Sequence, residues 1–174
     1  FESRLKGRYI TLDHIKPILK SYMNSFQISV IGSSELGNDI HLVKIGTGKK
    51  IILAWSQLHG NESTTTKAFF DILRFLYKND TFKCKISDFL EKYSLCIIPM
   101  LYLDGAALYT RENLNGVDLN RDAQDLSQKE SRVLKELYNE LNPVLCLNLH
   151  DQRSFFGLHT GEPAAISFLS PAAD

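Results

Sequence analysis

No run of apolar residues in this chain approaches the length of a bilayer span, and its first residues carry no secretion-signal pattern, so no membrane partner is expected. Neither sign of charge is in excess: Lys+Arg and Asp+Glu are both 20, and the formal net charge is zero. That balance argues against nucleic acid as a partner. Cysteine is scarce, with Cys84, Cys96 and Cys146 in no zinc-ribbon spacing, so any metal must be held by histidine and carboxylate. The odd count, and the apolar runs around Cys96 and Cys146, predict free thiols and a reducing, cytoplasmic setting. The start at Phe1 leaves room for a removed leader. No repeat, low-complexity tract or Pro/Gly-rich linker divides the chain, so one domain is expected over 1–174. What is present is apolar bulk: 44% hydrophobic against 23% charged residues, enough for a globular domain with a buried core.

Periodicity places the elements. Residues 11–24 carry Ile15, Ile18, Leu19 and Tyr22 at helical spacing, with Pro17 early enough to be tolerated. QISVIG (27–32) and IHLVKIG (40–46) alternate, and the turn containing Gly37, Asn38 and Asp39 makes them a hairpin. IILAW (51–55), LCIIPML (95–101) and VLCLNLH (144–150) are apolar throughout and read as buried strands. A helix is predicted over 64–78, capped by Ser63 or a neighbouring Thr. Another is predicted over 127–141, opened by the capping box Ser127-Gln-Lys-Glu130. The sum is an α/β fold: a mixed, largely parallel central sheet with helices on both faces. In such sheets ligands gather beyond the carboxyl ends of the strands, where His59, Tyr102–Asp104 and His150 fall.

His59-Gly60-Asn61-Glu62 follows a buried strand, and a histidine and a carboxylate three residues apart on a tight turn suit one cation. Gly60 is expected to let the backbone bend sharply there. A catalytic zinc takes three protein ligands and keeps a fourth position for water, and His150 is the natural third. His14, in the first helix, His41, on the hairpin, and His159, beyond a loop from His150, fit worse. By itself this pattern also describes an ordinary polar loop. Thr110–Arg121 adds a second polar segment, turning at Asn115-Gly116, in which Val117 and Leu119 alternate with Asp118 and Asn120. The planar guanidinium of Arg121 beside the Asn120 amide is suited to gripping a carboxylate.

Together HGNE, IPMLYLDGA, YTRENLNGVDLNRD and NLHDQ, across residues 51–152, resemble the zinc metallocarboxypeptidases, the carboxypeptidase A/B-like enzymes, in their N-terminal part. The resemblance implies one Zn2+ held by His59, Glu62 and His150, and an Arg111 that polarises the scissile carbonyl. It assigns the substrate's terminal carboxylate to Asn120 and Arg121, and orientation of the His59 ring to Asp118. The implied partner is a peptide or small molecule with a free carboxylate, in a carboxypeptidase-like (phosphorylase/hydrolase-like) fold.

The pattern is also incomplete. The family's general-base glutamate lies well downstream of the third zinc ligand, whereas 24 residues follow His150 and their sole glutamate, Glu162, stands in a turn-like Gly161-Glu-Pro163. The family's late tyrosine and its side-chain-selecting residue are absent too, and Asn61 replaces the arginine of pancreatic-type members. A piece of a longer protein is the expected reading, with a pseudoenzyme as the other. The 174 residues alone are expected to bind zinc and hydrolyse negligibly. Deacylases of the aspartoacylase and succinylglutamate desuccinylase type share HGNE, an Asp-x-Asn-Arg segment and a later histidine. Arg111, Asn113 and the Asn-Gly turn favour the peptidases over them. A non-catalytic zinc- or carboxylate-binding domain is the third alternative.

Overall fold

Alternation at the hairpin segments folds them back on each other as an antiparallel pair, β1 (Gln27–Ser33) and β2 (Asp39–Ile45), after a first helix α1 (Leu12–Tyr22). The structure, a computed structural model, describes residues 1–151 and 160–162; His159 and the apolar segment from residue 163 lie outside the described residues. The three continuous apolar runs become β3 (Lys50–Ser56), β4 (Tyr93–Ile98) and β5 (Leu145–Leu149). Between them lie α2 (Thr64–Lys78), α3 (Lys83–Lys92), α4 (Leu103–Leu108) and α5 (Lys129–Leu141). The five strands form one mixed sheet of order β1-β2-β4-β3-β5. β2 meets both β1 and β4 antiparallel, while β3 runs parallel to β4 and β5. The parallel part is thus the β4-β3-β5 trio.

Helices cover both faces. Along β3, Ser56 bonds Thr66 of α2 at 2.8 Å on one face. Leu53 and Trp55 point to the other, where they share a cavity with Leu134 and Tyr138 of α5. The core runs through α1, β2, β3 and β4, with Ile40, Val43, Leu53, Phe70, Leu73 and Ile98 fully buried. No helix among the described residues is long and apolar enough to cross a membrane.

Three local expectations need correction. β5 is not fully buried: Leu145 and Leu147 are 47% and 37% exposed, because among the described residues β5 pairs only with β3 and stands at the sheet edge. Ser63 sits at the cap of α2 but donates to the Arg8 carbonyl instead. The α2 N-terminus is served by Asp151, which accepts from both the amide and the hydroxyl of Thr64 at 2.9 Å. The capping box at Ser127 does not form either. Ser127 turns to Asp122, and the first amide of α5, Lys129 N–H, donates to Glu35 at 2.8 Å. Glu130, wholly buried, accepts from the Glu35 amide in return, and burial pushes its carboxyl above the usual range. All three cysteines are free, with Cys96 buried, Cys146 half-buried and Cys84 exposed.

Candidate active site

β3 and β5 run parallel in a register that pairs Ser56 with Leu149, so the residues following each strand emerge side by side. His59 and His150 therefore meet, with ring centroids 4.9 Å apart. The turn 59–62 closes through the Glu62 amide on the His59 carbonyl at 3.1 Å and swings the Glu62 carboxylate between the rings. Its Oε1 lies 2.9 Å from His59 Nδ1, and its Oε2 lies 2.8 Å from His150 Nδ1. One ligand atom from each of the three residues lies within 4.8 Å of the others, and no further His, Cys, Asp or Glu joins the group among the described residues. Two imidazole nitrogens and a carboxylate, with His59 and Glu62 buried and His150 half-buried, are the donor set of an open zinc site. The residues fit a metal.

Asp118 completes the geometry around His59: its Oδ1 lies 3.0 Å from Nε2, the ring nitrogen facing away from Glu62. A carboxylate there fixes the ring's orientation and leaves Nδ1 for a ligand role. Burial lowers the His59 pKa, but its contacts with Glu62 and Asp118 outweigh that and hold it above its ordinary value. For Glu62, burial pushes upward, yet the His150 and His59 contacts bring it down to about 2, so it is ionised at neutral pH. Arg111 leans over the same carboxylates. One guanidinium nitrogen bonds Asp118 Oδ2 at 3.0 Å, and another stands 3.6 Å from Glu62.

Asn120 lies beside the carboxyl end of β5, where its Oδ1 accepts from Asn148 at 3.0 Å. The exposed Arg121 makes no side-chain hydrogen bond or ion pair among the described residues. Its neighbour Asp122 is committed to the Ser127 and Gln128 amides. Tyr102 and Asp104, although on the strand-end rim, turn inward. Tyr102 donates to the Glu112 carbonyl at 3.0 Å, and Asp104, 1% exposed, receives Ser34, Leu36 and Asn38 of the β1–β2 turn. Glu162 is exposed and stands outside the cluster, and Asp151 is held at α2.

Sequence reasoning missed Gln57. Its backbone takes a left-handed φ of 51°, and its side chain is fully buried. The amide donates to the Gly60 and Ile10 carbonyls at 2.8 and 2.9 Å and accepts from Thr66 at 2.7 Å, which pins the turn that presents His59 and Glu62. A bulky residue in a left-handed conformation next to a candidate ligand turn is a signal that only backbone angles carry.

Gly60 serves a different purpose from the sharp bend expected of it. Its φ is not positive; instead a Cβ there would stand 2.0 Å from the Gly105 carbonyl carbon of α4. Backbone cannot retreat as a flexible side chain would, so Gly60→Ala should destabilise the chain by about 1–3 kcal/mol, as overpacking does. Urea unfolding checks this, and an unchanged midpoint would contradict the close-approach account.

A mixed α/β fold with a His/Glu/His cluster at the ends of two parallel strands defines the class: a protein with a candidate metal centre at the carboxyl rim of its sheet. The family model for zinc carboxypeptidases (Peptidase_M14) matches residues 11–155, and the chain belongs to that family. Carboxypeptidase 2 from Trichophyton rubrum is 28% identical over 99 residues, which are 56% of this chain and 18% of that protein. A metallo-carboxypeptidase from Pseudomonas aeruginosa, in complex with (2-guanidinoethylmercapto)succinic acid, aligns with TM-score 0.72 at 20% identity, covering 81% of this chain and 40% of that one. Carboxypeptidase A from Helicoverpa armigera aligns with TM-score 0.70 at 21% identity, covering 90% and 50%. These two structures establish the fold. The chain spans under a fifth of the fungal protein's length and half or less of each structure.

Proposed function

We propose that this chain carries the zinc-binding and carboxylate-binding part of a metallocarboxypeptidase that removes C-terminal residues from peptides. The observation that carries the reading is the meeting of His59, Glu62 and His150 within 4.8 Å, with the Arg111 guanidinium 3.6 Å from Glu62. Zinc held by those three side chains supplies an acidified water and a Lewis acid for the peptide carbonyl. Arg111 offers N–H donors to the oxygen on which charge develops. Asp118 keeps the His59 ring oriented. Asn120 and Arg121 hold the substrate's terminal carboxylate, which confines cleavage to the last peptide bond. The general base is not among these residues, and for that reason the 174 residues alone bind zinc and turn over negligibly, a positioned base contributing about 10²–10⁴ in rate.

The test is an assay of the full-length protein on peptides with free and amidated C-termini and on N-acyl amino acids. Release of C-terminal residues from the free peptides alone, abolished by chelator, is the expected result. Turnover confined to N-acyl amino acids would replace this reading with a deacylase. Zinc binding without turnover of any of the three would leave a non-catalytic binding domain.

A further inference from the structure

The segment that bears Arg111, Asp118, Asn120 and Arg121 has almost no regular structure of its own, since no helix or strand lies between α4 and α5. Its shape comes from a buried amide, Asn113, 6% exposed. The Asn113 Oδ1 accepts from the amides of Asn115 and Val117 at 3.0 and 2.9 Å. The Asn113 backbone N–H donates to the Val117 carbonyl and its own carbonyl receives the Gly116 amide, both at 2.9 Å. Gly116 takes a left-handed φ of 72°, and the turn closes. Among the described residues, the one group that ties this turn to the body of the protein through both of its asparagines is the buried Gln128 side chain. Its Oε1 accepts from Asn113 Nδ2 at 2.6 Å and from Asn115 Nδ2 at 2.7 Å.

Gln128 is the cap residue of α5, and the same helix start holds the far end of the segment. Asp122 accepts from the Ser127 amide and hydroxyl at 2.9 and 2.6 Å and from the Gln128 amide at 2.9 Å. Residues 113–122 are therefore strung between two anchors on one rigid helix. Between them the buried Leu119 presses inward, while Asp118 reaches His59 and Asn120 reaches Asn148. The helix itself is locked to the β1–β2 turn by the reciprocal Glu35–Lys129 and Glu130–Glu35 bonds.

We infer that Gln128 is a positioning residue for carboxylate recognition: through Asn113 and Asn115 it sets where Arg111, Asn120 and Arg121 stand relative to the metal ligands. This rests on the carboxypeptidase reading for its substrate and on the bond network for its geometry. Gln128→Met removes the shared acceptor at similar volume and leaves two amide groups unpaired. Gln128→Glu keeps an oxygen for both asparagines and gives up only the contact with Ser127.

The experiment uses the zinc-loaded full-length protein and (2-guanidinoethylmercapto)succinic acid as a dicarboxylate probe. Q128M should bind the probe about 10–100-fold more weakly, as loss of supporting partners typically does, with zinc content unchanged and Q128E close to wild type. Amide hydrogen exchange at Asn115 and Val117 should accelerate in Q128M and not in Q128E. Asn115→Ala, at an exposed position, gives a milder version of both effects if Q128M folds poorly. Unchanged exchange and unchanged probe affinity in Q128M would overturn the inference. So would equal losses in Q128M and Q128E, which would reduce Gln128 to a general stabiliser of the fold. If the wild-type protein ignores the probe, the carboxylate reading fails, and the exchange result still decides whether Gln128 anchors the segment.

Discussion

Alanine at His150 should strip the chain of zinc, leaving metal affinity down by more than the 10–100-fold that even outer supporting partners cost. His150 brings one of only two imidazole nitrogens to the cluster, and no other His, Cys, Asp or Glu among the described residues stands close enough to replace it. The substitution should leave the sheet intact, because the residue is half-buried and follows β5 rather than filling the core. Two measurements check this. Zinc per chain after dialysis should fall from near one to near zero. Thermal stability should respond to added zinc only in the wild type, which gains about 2.7 kcal/mol when free metal is 100-fold above its Kd. Near-native zinc content in H150A would remove His150 from the ligand set. Binding in the wild type should also weaken as pH falls, since protons compete for both imidazoles.

The convergence tested by that substitution is legible in the sequence for a physical reason. Parallel strands present their carboxyl ends on one rim, so polar residues just after two apolar runs must emerge as neighbours once the strands pair. Ser56 opposite Leu149 is that pairing. The α2 helix is legible to the residue because its apolar stripe is broad and the flanking strand forces a turn before it. Where interactions span the chain, the sequence is mute. The cap of α5 comes from Glu35, 94 residues earlier, while the local Ser127–Glu130 pattern suggests a self-sufficient box. The α3 helix buries none of its residues, so its thin stripe of Ile86, Phe89 and Leu90 is lost among lysines. The six-residue α4 contains Gly105 and reads as a loop. Tyr102 and Asp104 share the rim with the histidines by position, and only side-chain direction shows that they brace the Glu112 carbonyl and the β1–β2 turn instead. Gln57, which holds the turn bearing His59 and Glu62, looks in the sequence like one more polar residue after a strand.

Substitution of Arg111 would distinguish a reactive centre from a mere metal site. The Arg111 guanidinium is tethered to Asp118 at 3.0 Å and lies 3.6 Å from Glu62, so it is held beside the candidate metal ligands by the carboxylate that also contacts His59. A surface ion pair would explain the Asp118 contact alone, and it would predict little consequence from removing the arginine. A donor poised for charge that develops only during reaction predicts a large one. In the full-length protein, Arg111→Ala should lower kcat by about 10²–10³, the cost of losing one such donor, while KM moves little and zinc content stays constant. Arg111→Lys should recover only part of the loss, since a lysine cannot keep the forked contact with Asp118 and also reach the substrate oxygen. Steady-state kinetics on a peptide with a free C-terminus, with zinc quantified in each preparation, makes the comparison. A KM effect at constant kcat would move Arg111 to ground-state binding alongside Arg121. Unchanged kinetics would return it to the role of a surface ion pair, and the carbonyl oxygen would need another donor.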